Sequence, residues 1–152
     1  MTDLFSKKKR SEIMSKVRGK DTSPELLIRK HLFSLGFRYR LHVSSLPGKP
    51  DLVFPKYRCV VFIHGCFWHG HSCKKTFPQE NKKYWKQKIN GNIKRDAKNI
   101  ENLKEIGWRT IVIWECSISG KRKISLILLG KQISKLLKSS IKYKEIQPKG
   151  EV

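Results

Sequence analysis

The sequence predicts an α/β domain built on a central mixed β-sheet flanked by helices, and three observations predict it. Its apolar residues change period along the chain, from helical three-to-four spacing to strict alternation and back. The periods come in the order arm, helix, three strands, helix, strand, helix, which suits one sheet with helices packed on it. With 152 residues and 17.8 kDa the chain holds one ordinary hydrophobic core and is too short for two.

Residues 1–21 read as a basic arm, with Lys7, Lys8, Lys9, Arg10, Lys16, Arg18 and Lys20 against few apolar anchors, Ile13, Met14 and Val17. The domain proper spans residues 22–140. Thr22-Ser23-Pro24-Glu25 starts a helix, because a hydroxyl caps the first free amides, proline fits the first turn and an early acid suits the dipole. Leu27, Ile28, His31, Leu32 and Leu35 give that helix its face, and Gly36 ends it. Residues 37–43 alternate as a half-buried strand, and Leu46-Pro47-Gly48 turns the chain. Residues 50–55 and 58–63 form a hairpin.

A loop rich in histidine and cysteine follows over residues 64–75, then a helix over 81–106 with Ile93, Ala97, Ile100 and Leu103 on one face and Gly91 as a place to bend or divide. Residues 108–115 return as a buried strand centred on Thr110-Ile111-Val112-Ile113. A last amphipathic helix over 123–139 carries Ile124, Ile127, Leu128, Lys131 and Leu137 near one stripe. Residues 141–152 are a C-terminal tail, expected to fray from Tyr143 onward.

Thirty-four Lys and Arg against 12 Asp and Glu give a net charge of +22, so the natural partner is a polyanion, bound tightly at low salt through counterion release. The longest apolar run, residues 59–63, is far short of a membrane span. The first ten residues lack the apolar stretch of a signal peptide, so the expected location is the cytoplasm. Charge ranks the partner and leaves the chemistry open.

Cys66, His71 and Cys73 fall within eight residues, and Cys116 follows the last predicted strand. Four such ligands make a closed tetrahedral zinc site of structural type; the other reading is free thiols and a surface histidine. Cys59, inside strand sequence, reads as a small buried hydrophobe. Pro50-Asp51 reads either as a turn pair or as the carboxylate that a metal-dependent nuclease sets where a strand start meets its hairpin neighbour. His64 and His69 nearby favour the second, since neutral histidine takes a proton from water near pH 7. Trp108 and Trp114 read as core, whereas Phe67 and Trp68 sit in a loop with little room to bury them and suit a wedge between base pairs.

Three stretches, Leu46-Pro47-Gly48-Lys49-Pro50-Asp51, Val61-Phe62-Ile63-His64-Gly65-Cys66-Phe67-Trp68-His69-Gly70-His71-Ser72-Cys73, and Gly107-Trp108 with Trp114-Glu115-Cys116, together resemble the very-short-patch repair endonucleases. These are bacterial enzymes that nick DNA at T:G mismatches left by deamination of 5-methylcytosine. The resemblance covers residues 11–122, including Met14, Asp21-Thr22 to Glu25, and Asn92-Ile93-Lys94-Arg95-Asp96. It implies a restriction-endonuclease-like core, with the nuclease domain over residues 22–140. It also implies magnesium on Asp51 and the Ile63 carbonyl, Glu25 reaching the metal's water, His69 as general base, His64 on the phosphate or its leaving oxygen, and Asp96 orienting His69. Zinc would sit on Cys66, His71, Cys73 and Cys116, and Phe67, Trp68 and Trp85 would insert at the mismatch.

The chain departs from the wider superfamily, which follows its proline-aspartate with an acid, one residue and a lysine; here the stretch is Phe62-Ile63-His64. Ile63 stands where the family often has threonine, a change that a backbone carbonyl ligand tolerates. The arm is expected to order on double-stranded DNA, with Met14 and Val17 in the minor groove and Lys16, Arg18 and Lys20 on phosphates; its other reading is a solubilising leader. Asp96 and Glu25 also read as ordinary helix acids. Expected partners are a companion cytosine-5 methyltransferase and the repair polymerase and ligase that follow a nick, with no membrane and a monomer in a bacterial cytoplasm, near the nucleoid. The rival readings are a sequence-specific restriction-type nuclease and a zinc-stabilised DNA-binding module without catalysis.

Overall fold

The computed structural model describes residues 21–73 and 78–149. Helix α1, Ser23–Ser34, starts as expected: Thr22 is its cap, and the threonine hydroxyl accepts the Glu25 amide at 3.3 Å. Gly36 closes it with a positive φ of 95°. Ile28 and Leu32 are its buried apolar residues, while Leu27 and Leu35 are exposed. Of the alternating stretch after it, Arg40–Leu41 alone forms strand β1, an edge strand that pairs antiparallel with β2, Leu52–Phe54.

The expected hairpin is present, with β2 antiparallel to β3, Cys59–His64, across a 3-10 turn over Pro55–Tyr57. Helix α2, Lys82–Glu105, is a single helix, undivided at Gly91. It crosses over to β4, Arg109–Trp114, which lies parallel to β3 with His64 opposite Trp114. Helix α3, Leu126–Leu137, leads to β5, Tyr143–Ile146, parallel to β4. The sheet is therefore mixed, in the order β1-β2-β3-β4-β5.

Strand β5 corrects the expectation of a frayed tail: Tyr143, Lys144 and Glu145 are exposed, so hydropathy hides a strand that pairing with β4 holds in place. The apolar stripes of two helices are also displaced. In α3 the buried residues are Leu129, Gly130, Ile133 and Leu137, whereas Ile127 is 68% exposed and Leu128 and Lys131 face solvent. In α2 they are Trp85, Ile89 and Leu103, with Ile100 partly buried and Ile93 and Ala97 exposed. Each helix has more apolar residues than its sheet can cover, so packing chooses which stripe goes inside.

Alternation along β3 divides the core. Cys59 and Val61 pack with Phe54, Leu32, Ile133 and Leu137 against α1 and α3, and Val60 and Phe62 pack with Val112 and Leu103 against α2. Fully burying a side chain such as Phe54 stabilises the fold by about 2–3 kcal/mol. Cys59 is wholly buried, as a small hydrophobe should be, Trp114 is buried, and Trp108 packs half-buried on the second cluster. The α2 face of the sheet, at the carboxyl end of β3, is where the chemistry-bearing residues collect.

Candidate active site and Cys/His cluster

Asp51 precedes β2, and its Oδ2 accepts the Ile63 amide of β3 at 2.7 Å. In a strand a residue's N–H and C=O leave by the same edge, so the Ile63 carbonyl also faces the Asp51 side. Glu25 reaches the same region from α1, where it is only 2% exposed; its Oε2 accepts the Asp21 amide at 2.7 Å and lies 3.4 Å from Arg29 Nη1. Burial pushes the Asp51 carboxyl up to about 8 against the pull of the Ile63 amide, and the Glu25 carboxyl adds to the rise. Holding Asp51 as a carboxylate there calls for a positive charge close to it. The Asp51 carboxylate and the Ile63 carbonyl form an all-oxygen donor pair, which fits a hard divalent cation such as magnesium.

The two predicted histidines meet face to face. The rings of His64 and His69 stack with centroids 3.8 Å apart and planes 4° apart, and His69 Nδ1 lies 2.6 Å from Asp96 Oδ2 of α2. His64 is 6% exposed; burial, helped by His69 and opposed by Asp96, pulls its pKa down to about 3, so the ring is neutral. Lys49, Asp51, Ile63, His64, His69 and Asp96 line one cleft.

The loop after β3 folds back on itself, with the His69 amide on the Gly65 carbonyl and the His71 amide on the Cys66 carbonyl. Its turn requires glycine at position 70: φ is +68°, and a Cβ there would stand 2.5 Å from Ile93 Cδ1 of α2. Asn92 of α2 donates to the Trp68 carbonyl at 2.9 Å, one helical turn from Asp96. This turn gathers Cys66, His71 and Cys73 beside Cys116, with their ligand atoms all within 4.8 Å of one another. His71 Nδ1 is 3.0 Å from Cys73 Sγ and 3.6 Å from Cys116 Sγ, close to the roughly 3.5 Å that tetrahedral zinc imposes between its nitrogen and sulfur ligands. All four cysteines are free. Burial pushes the Cys66 thiol up to about 12, so bringing these sulfurs together as thiolates calls for a cation, and the Cys/His donor set fits zinc.

Phe67, Trp68 and Trp85 form an edge-to-face cluster with centroids 5.2 to 5.8 Å apart. The loop finds more room for them than its sequence suggests. Phe67 and Trp68 are half-buried, and Trp85, 7% exposed, is a floor beneath them and not a projecting ring. Met14, Lys16, Val17, Arg18 and Lys20 lie outside the described residues.

Two residues with a place here carry no sequence signal of their own. His42, at the end of β1 with φ +48°, has Nε2 3.4 Å from both Asp21 and Glu25 and Nδ1 4.0 Å from Asp51. Its alternation in the strand pattern conceals that position. Gln147, just past β5, lies 2.6 Å from His71 Nε2, and the polar tail that holds it looks like any solvated end.

A sequence model of the family described as "DNA mismatch endonuclease Vsr" matches residues 2–75. The chain is 52% identical over 122 residues to the type II nicking enzyme V.NmeAIP of Neisseria meningitidis serogroup A, spanning 80% of this chain and 87% of that protein. It is 47% identical to the type II nicking enzyme V.XorIIP of Xanthomonas oryzae pv. oryzae, over 78% of this chain and 88% of that one. It is 40% identical to the DNA mismatch endonuclease Vsr of Escherichia coli K12, over 82% of this chain and 81% of that one. Among the described residues no helix is long and apolar enough to cross a membrane. With a mixed sheet of the restriction-endonuclease-like kind and relatives that align along most of its length, the chain belongs to the Vsr family of DNA mismatch endonucleases.

Proposed function

We propose that this endonuclease nicks the thymine strand 5′ to a T:G mismatch, of the kind that deamination of 5-methylcytosine leaves, and so starts very-short-patch repair by magnesium-dependent phosphodiester hydrolysis. The observation that carries the reading is the 2.6 Å contact of His69 with Asp96, in one cleft with Asp51. Asp96 holds the proton of His69 on Nδ1, which leaves Nε2 with a lone pair to take a proton from the water that attacks phosphorus. His64, neutral and stacked on His69, gives the phosphate or its leaving oxygen an N–H rather than a full positive charge. Asp51 and the Ile63 carbonyl would hold magnesium, which would polarise the phosphate and stabilise the charge developing on it. Glu25, buried on α1 beside Asp51, would reach the metal's water from the helix side.

Cys66, His71, Cys73 and Cys116 would hold zinc with no position left for water, which is a structural role. Phe67 and Trp68 serve as the wedge at the mismatch and Trp85 supports them from below. The arm follows the duplex, Met14 and Val17 in the minor groove and Lys16, Arg18 and Lys20 on phosphates, as the +22 charge favours. A single nick needs one active site, so the chain acts as a monomer in the bacterial cytoplasm, beside a cytosine-5 methyltransferase and ahead of a repair polymerase and ligase. The word nicking in two relatives' names supports a cut in one strand.

The test is cleavage of two end-labelled duplexes of identical sequence, one with a T:G mismatch in several methyltransferase contexts and one fully paired, each with magnesium or with EDTA. Nicking of the thymine strand alone, and only with magnesium, is the expected result. Cutting of both strands of paired DNA would replace it with a restriction-type activity, and binding without cutting in any context would leave a zinc-stabilised DNA-binding module.

A further inference from the structure

The histidine of the Cys/His cluster is held from outside the cluster. His71 is 5% exposed, its Nδ1 faces the sulfurs of Cys73 and Cys116, and its Nε2 lies 2.6 Å from Gln147 Oε1. A ring that binds metal through Nδ1 must carry its proton on Nε2, and a buried N–H needs an acceptor. We propose that Gln147 is the positioning residue of the zinc site: its amide oxygen accepts the Nε2 proton of His71, fixes the tautomer that presents Nδ1 to the metal, and thereby fastens the C-terminal strand to the loop after β3.

Three further contacts support the assignment. Trp114 stacks on the His71 ring at 4.3 Å and 19°, which leaves rotation in the ring plane as the freedom that a hydrogen bond to the ring edge removes. The Trp114 indole donates in turn to Glu145 of β5 at 2.7 Å, so two β5-side residues brace the same pair of rings. Pairing of Ile113 with Ile146 sets the register that brings Gln147 level with the cluster. Acceptors of this kind orient a ligating imidazole and raise its basicity, and removing one typically weakens metal binding about 10–100-fold. Gln147 itself is exposed, so water reaches the vacated position, and the lower end of that range, about tenfold, is expected.

The inference rests on the zinc reading, and the experiment separates the two. Zinc content of the purified full-length chain is measured first, followed by transfer of that zinc to a chromophoric chelator in the wild type, Gln147→Leu and Gln147→Glu. The expected results are one zinc per chain, a Gln147→Leu protein that loses zinc about tenfold more readily, and a Gln147→Glu protein within a few-fold of wild type because a carboxylate also accepts the proton. Long-range proton–nitrogen NMR of the zinc-loaded wild type should find the His71 proton on Nε2. A chain without zinc overturns the zinc reading itself. Zinc held equally well by Gln147→Leu, or a His71 proton on Nδ1, overturns the role of Gln147 and leaves the zinc reading standing.

Discussion

The Cys66–His71–Cys73–Cys116 cluster and the Asp51–His64–His69–Asp96 cleft share one loop and one end of the sheet, yet they are built on opposite plans. The first draws three of its four groups from eight consecutive residues and closes on itself with soft donors. The second takes one group from the start of β2, one from the end of β3, one from the loop and one from α2, and the donors it would offer a metal are oxygens. A closed local cluster suits a part that must not change, while an open cleft assembled from distant segments suits chemistry that admits substrate. The shared residues 64–73 make the second depend on the first, because the loop that presents His69 is held by the cluster that contains Cys66 and His71.

That dependence can be broken from either side. Replacing Cys73 by alanine should do most: zinc is lost, the loop loosens and the melting temperature falls by roughly 10 °C or more, because metal binding to such a site is folding free energy. A Cys73→Ala protein that retains one zinc would remove Cys73 from the ligand set. Asp51→Ala should leave zinc content and mismatch binding intact while nicking slows by roughly a thousandfold or more, as follows from losing several kcal/mol of stabilisation on the phosphate. Asp96→Asn should slow nicking by about a hundredfold and spare both binding and zinc, since the amide no longer enforces the useful tautomer of His69. Full activity in that variant would reduce Asp96 to a surface acid.

The smallest effect is on stability. His64 titrates near 6.5 when unfolded and about 3 when folded, so between those values the unfolded chain binds the extra proton and stability falls as pH drops. Urea unfolding without magnesium should show His64 contributing a loss of about 1 kcal/mol between pH 6 and pH 5, absent from His64→Gln. Equal pH slopes for the two proteins would mean that His64 is not held neutral.

Much of this was legible in the sequence, for reasons that particular residues make plain. Thr22 and Gly36 mark α1 by local chemistry, and the cysteine spacing names its own cluster. Local pattern is silent where long-range pairing decides. Strand β5 is Tyr143-Lys144-Glu145-Ile146, a sequence with one buried residue, and β4 makes it a strand. Gln147 was out of reach for the same reason, since its significance comes from a register and not from a pattern. His42 gains its place only once α1 and β2 are brought together around it.

Asn92 and Asp96 grip neighbouring residues of the loop, Trp68 through its carbonyl and His69 through its ring, from successive turns of one rigid helix. The consequence is a common mount. The backbone of Trp68 and the ring of His69 hang from adjacent turns of the same helix, so a shift of α2 displaces both together and neither can be re-aimed by that helix alone.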